Sequence, residues 1–117
     1  MKFTLEPPNP SYAGNGSDAK LTWDFSMDTQ AELLGIIYSV KEASGAFTGM
    51  LVKFTNGSVL NHQSIPTAYK GRVRIEGRAS LVVEDVTPRD NTEFKCALVL
   101  NSGTDLESNV KLIVTGR

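Results

Sequence analysis

Residues 72–96 read RVRIEGRASLVVEDVTPRDNTEFKC and contain two short runs in which apolar and polar side chains alternate. Val73 and Ile75 are flanked by charged residues in the first run, and Phe94 and Cys96 flank a lysine in the second. A period of two is typical of a β-strand that buries one face. Glu-Gly and Pro-Arg-Asp-Asn separate the apolar runs, and both are turn sequences. The stretch therefore predicts consecutive strands joined by short turns.

The same alternation continues on both sides of this stretch. Asn56-Gly57 lies between the apolar runs 51–55 and 58–60 and is the strongest hairpin signal in the chain. We interpret residues 29–34, whose composition also suits a short helix, as a loop that leads into a strand. Many short strands with frequent turns predict a β-sandwich or a β-barrel. The remaining alternating runs cover residues 21–25, 98–100 and 110–114.

The chain has 117 residues, of which 40% are apolar and 21% are charged, as in an ordinary globular domain. We expect one domain over residues 1–117, because this length supports a single core. The net charge of -1 argues against non-specific binding of nucleic acid. No apolar run approaches the ~20 residues that a membrane-spanning helix needs.

Cysteine usage and glycosylation sequons point to different compartments. Cys96 is the only cysteine, so no disulfide can form within the chain, which by itself favours a reducing compartment. Two sequons, Asn15-Gly16-Ser17 and Asn56-Gly57-Ser58, favour secretion. We expect Asn15 and Asn56 to lie in exposed turns and to accept glycans if the chain is secreted.

Residues 72–96 resemble the core of an immunoglobulin V-set domain. That family has a basic residue at the start of strand D, an aliphatic alternation in strand E, and Asp-x-Gly/Ala-x-Tyr-x-Cys at the start of strand F. The resemblance extends over residues 5–115 and implies an all-β, V-type two-sheet Greek-key sandwich with strands A, B, C, C′, C″, D, E, F and G. Residues 49–55 and 58–62 fit strands C′ and C″. The matching positions are Arg72, Leu81, Val83, Val86, Asp90 and Cys96.

The departures from the family pattern concern its inter-sheet disulfide and its aromatic residues. Trp23 stands at the position of the strand B cysteine, and Tyr38 stands near that of the strand C tryptophan. Phe94 replaces the strand F tyrosine. We predict that the Trp23 indole fills the space of the missing disulfide and packs against Cys96, which becomes a small core residue instead of a reactive thiol.

Candidate chemical sites are few. The resemblance implies that Arg72 and Asp90 form a structural ion pair that closes one end of the sandwich. His62 is the only histidine, and neither a nucleophile-elbow sequence nor a glycine-rich phosphate loop accompanies it. We therefore expect no enzyme activity, no metal site and no cofactor.

The outward side of the predicted front sheet is the candidate binding surface. If alternate residues of strands C, C′, F and G point into the core, their neighbours point to solvent. Several of those neighbours are apolar, and grouped apolar residues on one sheet face suggest a protein-binding patch. Lysines surround them. The predicted interface comprises Ile37, Ser39, Lys41, Leu51, Lys53, Lys95, Ala97, Val99, Lys111 and Ile113.

The resemblance implies a cell-surface recognition or adhesion domain, the extracellular part of a single-pass membrane protein. The missing disulfide and tryptophan narrow the resemblance to the V-set-like domains of the hydroid Alr allorecognition receptors. We therefore expect the partner to be a protein, the same or a near-identical domain on an opposing cell, and neither a nucleic acid nor a small-molecule substrate. Two alternatives stay open: a heterophilic immune-type receptor, and a structural I-set module, which would lack strand C″.

Overall fold

The computed structural model describes residues 1–27 and 33–116. The segment interpreted as a loop, 29–34, lies outside the described residues except for Leu33 and Leu34, which begin a strand. Within the described residues, the single-turn 3-10 helices Thr67–Tyr69 and Pro88–Asp90 connect strands. The strands are β1 (Lys2–Leu5), β2 (Ser11–Gly14), β3 (Ala19–Thr22), β4 (Asp24–Ser26), β5 (Leu33–Lys41), β6 (Phe47–Phe54), β7 (Val59–Asn61), β8 (Val73–Glu76), β9 (Ser80–Val83), β10 (Glu93–Leu100) and β11 (Asp105–Thr115).

The strands form the two layers of a V-type sandwich. The front layer is a six-stranded sheet in the order β2-β11-β10-β5-β6-β7, which corresponds to A′GFCC′C″. All its pairs are antiparallel except β2 with β11. The back layer comprises β3-β9-β8 and the two-stranded pair β1-β4, which correspond to strands A, B, E and D. The predicted all-β V-type sandwich is confirmed, and β7 supplies strand C″.

The core lies between the layers and is built around an aromatic pair. Trp23, 1% exposed, lies between β3 and β4, where strand B changes its partner from β9 to β1. Its ring centroid is 5.9 Å from that of Tyr38, and its indole Nε1 donates to Ser108 Oγ at 2.9 Å. Cys96 belongs to the same buried cluster and pairs with Tyr38 across β10 and β5. The other large, fully buried side chains include Leu21, Met50, Leu81, Phe94, Leu98 and Leu112.

Burial makes the Cys96 thiol unreactive. It raises the pKa of Cys96 to about 12, so the thiol stays protonated at neutral pH. Only a thiolate is an effective nucleophile. Cys96 is therefore a core residue that fills space in the fold.

A partly buried ion pair closes the end of the sandwich opposite the β6–β7 turn. Arg72 Nη2 donates to Asp90 Oδ2 at 2.8 Å, and that carboxylate also accepts the Thr87 amide at 2.9 Å. Arg72 additionally donates to the backbone carbonyls of Glu84 and Ala68. With nearly all its donors committed to the protein itself, Arg72 is positioned as a structural residue.

The strand β6 contains a bulge that changes which of its faces meets the core. Tyr38 pairs with Leu51, but the next residue of β5, Ser39, pairs with Gly49, so Met50 is an extra residue. Met50 and Leu51 are consecutive and both buried. One extra residue inverts the side-chain alternation beyond it. The part of β6 that follows the bulge therefore presents the opposite set of residues to solvent.

Candidate protein-binding face

The front face is the outward side of the six-stranded sheet, and its side chains lie in rungs that run across the strands. Two rungs lie toward the β6–β7 turn. The first contains Phe54, Gly35, Val99 and Asp105, and the second contains Leu60, Val52, Ile37, Ala97 and Glu107. Two more rungs lie toward the other end of the sheet. The third contains Gly49, Ser39, Lys95 and Asn109, and the fourth contains Phe47, Lys41, Glu93 and Lys111.

The predictions that Leu51 and Lys53 belong to this face are wrong, because they assumed unbroken alternation along β6. The bulge at Met50 turns Leu51 inward, where it is 3% exposed and packs in the core. Lys53 pairs with neighbours of the inward set, and its Nζ donates to the carbonyls of Gly77 and Arg78 in the β8–β9 turn. Lys53 therefore links the two sheets.

The residues that replace them form an exposed apolar patch, defined here as Ile37, Val52, Phe54, Leu60 and Val99. Phe54 is 42% exposed and Leu60 is 58% exposed, while the other three are half-buried. The register joins Leu60, Val52 and Ile37 in one rung, with Phe54 and Val99 in the next. The sequence signal was present: three consecutive apolar residues, Met50-Leu51-Val52, do not fit a strand with one wet face.

Gly35 interrupts the apolar patch. Gly35 lies between Val99 and Phe54 in its rung and has no side chain. A Cβ added there would lie 3.0 Å from the carbonyl oxygen of Lys53, with no other side chain close by. The position therefore has little room for a side chain, and only backbone separates Phe54 from Val99 in this rung.

Other predicted residues take different places on the face. Ser39 and Ala97 have the outward register but are buried, because they are small and lie beneath longer neighbours. Ile113 is half-buried and pairs with the exposed Tyr12 of β2, so it lies at the far end of β11, away from the apolar patch.

Most charges on the front face are paired within the chain. Lys41 Nζ lies 3.1 Å from Glu93 Oε2, and Lys95 Nζ lies 3.6 Å from Glu107 Oε2. Lys95 also sits over the Phe47 ring, 4.3 Å from its centroid, which is a cation–π contact. These pairs bring opposite charges together at the rim, so the lysines do not form a block of uncompensated positive charge.

His62 has a structural role at the edge of this face. Its ring lies against Gly49, where an added Cβ would come within 2.7 Å of the imidazole. Its Nδ1 accepts the Ser64 amide at 3.1 Å and also lies 2.7 Å from the Ser64 hydroxyl. Glycine at position 49 is what allows the ring to lie flat on the sheet.

Both sequon asparagines are exposed and lie in turns at opposite ends of the molecule. Asn56 follows Phe54 in the β6–β7 turn, where Gly57 has a positive φ of 92° and Asn56 Oδ1 accepts the Ser58 amide. Asn15 lies in the β2–β3 turn, and its amide donates to the carbonyl of Thr115 at the end of β11. Either side chain is accessible to a glycosylating enzyme.

No protein-family model matches the chain. Butyrophilin subfamily 1 member A1 from Mus musculus is 30% identical over 96 residues, which cover 77% of this chain and 17% of that protein. The chain thus spans less than a fifth of the length of this relative. No helix in the described part of the chain has the length and apolarity to cross a membrane.

Two solved structures share the fold. The structure of murine CRIg has a TM-score of 0.71 with 16% identity and covers 99% of this chain and 100% of that one. A chain from a study of T cell specificity and activation by the bacterial superantigen toxic shock syndrome toxin-1 has a TM-score of 0.74 with 15% identity, with 97% of each chain covered. From its strand order and these similarities, the chain is an immunoglobulin-like domain with the V-set fold, the kind of domain found in cell-surface immune receptors.

Proposed function

We propose that residues 1–117 form a recognition domain of a cell-surface receptor, which binds a second copy of itself, or a near-identical domain, on an opposing cell. The observation that carries this proposal is the apolar patch on the front face, where Phe54 and Leu60 are exposed beside three further apolar side chains. Contiguous apolar groups on a soluble domain commonly mark protein-binding surfaces.

The make-up of the face suits a protein partner. Its centre is aliphatic and aromatic, and its rim carries the ion pairs Lys41–Glu93 and Lys95–Glu107. Protein interfaces share this arrangement, with an apolar core that supplies affinity and a polar rim that supplies selectivity. No deep polar cleft is needed for such a function.

Self-recognition is supported by the way the face balances its own charges. A surface that meets its own copy risks bringing like charges together, which opposes binding. Because Lys41 and Lys95 each have an acidic partner in the same chain, a second copy would meet nearly neutral pairs. Homophilic recognition also agrees with the resemblance to hydroid allorecognition receptors.

A structural I-set module is the weaker alternative. The strand β7 pairs with β6 and has the position of C″, which an I-set module lacks. A heterophilic receptor would use the same front face and differs only in the identity of its partner. The two sequons and the V-set fold support an extracellular position for either receptor.

Aggregation of beads coated with the chain tests the proposal. Leu60→Asp places a charge in the apolar patch, and we expect it to abolish aggregation because a carboxylate is costly to bury in an apolar contact. Leu5→Asp is the matched control, because Leu5 is 50% exposed on β1 of the other layer, and it should aggregate like the wild type.

Two results would contradict the proposal. If folded Leu60→Asp aggregates normally, the front face is not the interface. If wild-type beads never aggregate with one another but bind cells that carry an unrelated protein, the domain is a heterophilic receptor.

A further inference from the structure

The outward side of β11 carries two charged residues that lack an ionic partner within residues 1–27 and 33–116. Asp105 begins the strand and lies in the rung of Phe54 and Val99. Lys111 lies in the rung of Glu93, at the other end of the front face. Both side chains are exposed. In contrast, Glu107, which lies between them on the same side of β11, is paired with Lys95.

We propose that two copies of the chain bind face to face with antiparallel strands, so that Asp105 of each copy pairs with Lys111 of the other. This inference rests on the proposed function and adds the register of the contact and the residues that determine its selectivity. A second copy fits this face because it offers a base where the first copy has an unpaired acid, and an acid where the first has an unpaired base. Asp105 and Lys111 lie on one strand, about 20 Å apart at about 3.4 Å per residue.

The symmetry of a two-fold contact explains why these positions meet. When the axis lies in the interface and runs perpendicular to the strands, each strand lies over its own copy in reversed direction. An axis at the level of Ser108, midway between Asp105 and Lys111, brings the acid of either copy over the base of the other. The two resulting ion pairs lie at opposite edges of one interface.

The same axis places compatible groups opposite each other on β5 and β6. The rung of Phe54 and Gly35 then faces the rung of Phe47 and Lys41 in the second copy. The exposed Phe54 meets the half-buried Phe47, so two aromatic side chains contact each other, which favours association beyond the burial of area. Lys41 faces Gly35, which has no side chain that could clash with it.

An axis parallel to the strands gives a different contact. It would place β11 of one copy over the β7 side of the other, and Asp105 and Lys111 would not meet. The antiparallel register also suits domains on opposing cells, because the corresponding ends of the two copies point in opposite directions.

Charge reversal separates these arrangements in a mixing experiment. Asp105→Lys alone puts lysine against lysine at both contacts, and Lys111→Asp alone puts aspartate against aspartate. We expect either variant to lose self-association by about tenfold or more, because like charges in an interface are strongly unfavourable. A mixture of the two variants restores opposite charges at both contacts, so it should form a heterodimer with an affinity near that of the wild type.

The measurements are sedimentation of each chain alone and mixed, and aggregation of beads in two colours. Lys2→Asp, an exposed reversal on β1 of the other layer, is the control and should leave self-association unchanged. Circular dichroism verifies that every variant is folded. Binding of the wild type should weaken as salt concentration rises, because the two pairs lie at the interface rim.

The possible failures have different meanings. If Leu60→Asp abolishes self-association but the mixture of Asp105→Lys and Lys111→Asp stays dispersed, the register is wrong and the proposed function stands. If the two single variants associate like the wild type, the ion pairs are absent and the register is again wrong. If the wild type shows no self-association by either measurement, both the register and homophilic recognition are wrong.

Discussion

Trp23 stands where V-set domains carry the first cysteine of their inter-sheet disulfide. Its indole is buried against Tyr38 and donates to Ser108, and Cys96 lies in the same cluster. A disulfide typically contributes about 2–4 kcal/mol to stability. Burial of a large aromatic side chain contributes a similar amount, so tryptophan is able to offset the loss of the disulfide.

We predict that Trp23→Ala lowers the free energy of unfolding by about 3–5 kcal/mol, because truncation of a large core side chain leaves a cavity and removes the buried hydrogen bond from the indole to Ser108. Urea unfolding monitored by circular dichroism measures the change. Trp23→Phe is the control, since it retains an aromatic ring and should cost much less. Equal stability of the alanine variant and the wild type would show that the indole does not replace the disulfide.

Within a single strand, the bulge in β6 determines which residues belong to the front face. Residues before the bulge, Phe47 and Gly49, and residues after it, Val52 and Phe54, share the front face because Met50 is accommodated as an unpaired residue between them. If Met50 were a regularly paired strand residue, Leu51 and Lys53 would face outward instead.

We predict that deletion of Met50 destabilises the chain by about 2–5 kcal/mol, because it removes a fully buried methionine side chain from the core. The other residues of β6 should keep their faces, since Gly49 and Leu51 would then pair with β5 in unbroken alternation. Thermal unfolding measures the loss. Deletion of Ser102, in the exposed β10–β11 turn, is the control, and it should cost far less. A cooperative unfolding transition at the wild-type temperature after deletion of Met50 would mean that the buried Met50 side chain contributes little to the stability of the core.

The alternation of apolar and polar residues was sufficient to predict which side chains face outward in strands that pair without interruption. In β10 and β11, Lys95, Val99 and Lys111 have the outward register that the period of two predicts. It failed in β6, because periodicity specifies which residues share a face only while no extra residue is inserted. The bulge therefore hid Val52 and Phe54, whereas Leu60 was missed because the predicted face comprised only strands C, C′, F and G.

At the scale of the whole molecule, the two sequons lie at very different distances from the apolar patch. Asn56 is in the turn that directly follows Phe54, whereas Asn15 is in a turn beside the end of β11 that is remote from Asp105. A glycan is bulky and hydrated, so one attached to Asn56 would occupy space at the edge of the patch, and one attached to Asn15 would not.

We predict that in a secreted, glycosylated form of the chain, Asn56→Gln increases self-association, because the patch becomes accessible from the side of β7. Asn15→Gln is the matched control, since it removes an equivalent glycan from the remote turn and should leave self-association unchanged. Bead aggregation gives the comparison, and mass spectrometry establishes which sites carry glycans. An equal effect of both substitutions would mean that the glycans act through general solubility, and weaker aggregation of Asn56→Gln would mean that the glycan contributes to the contact. The expected asymmetry follows from the fold alone, because the same β6–β7 turn that carries Asn56 also sets the position of Phe54 on the front face.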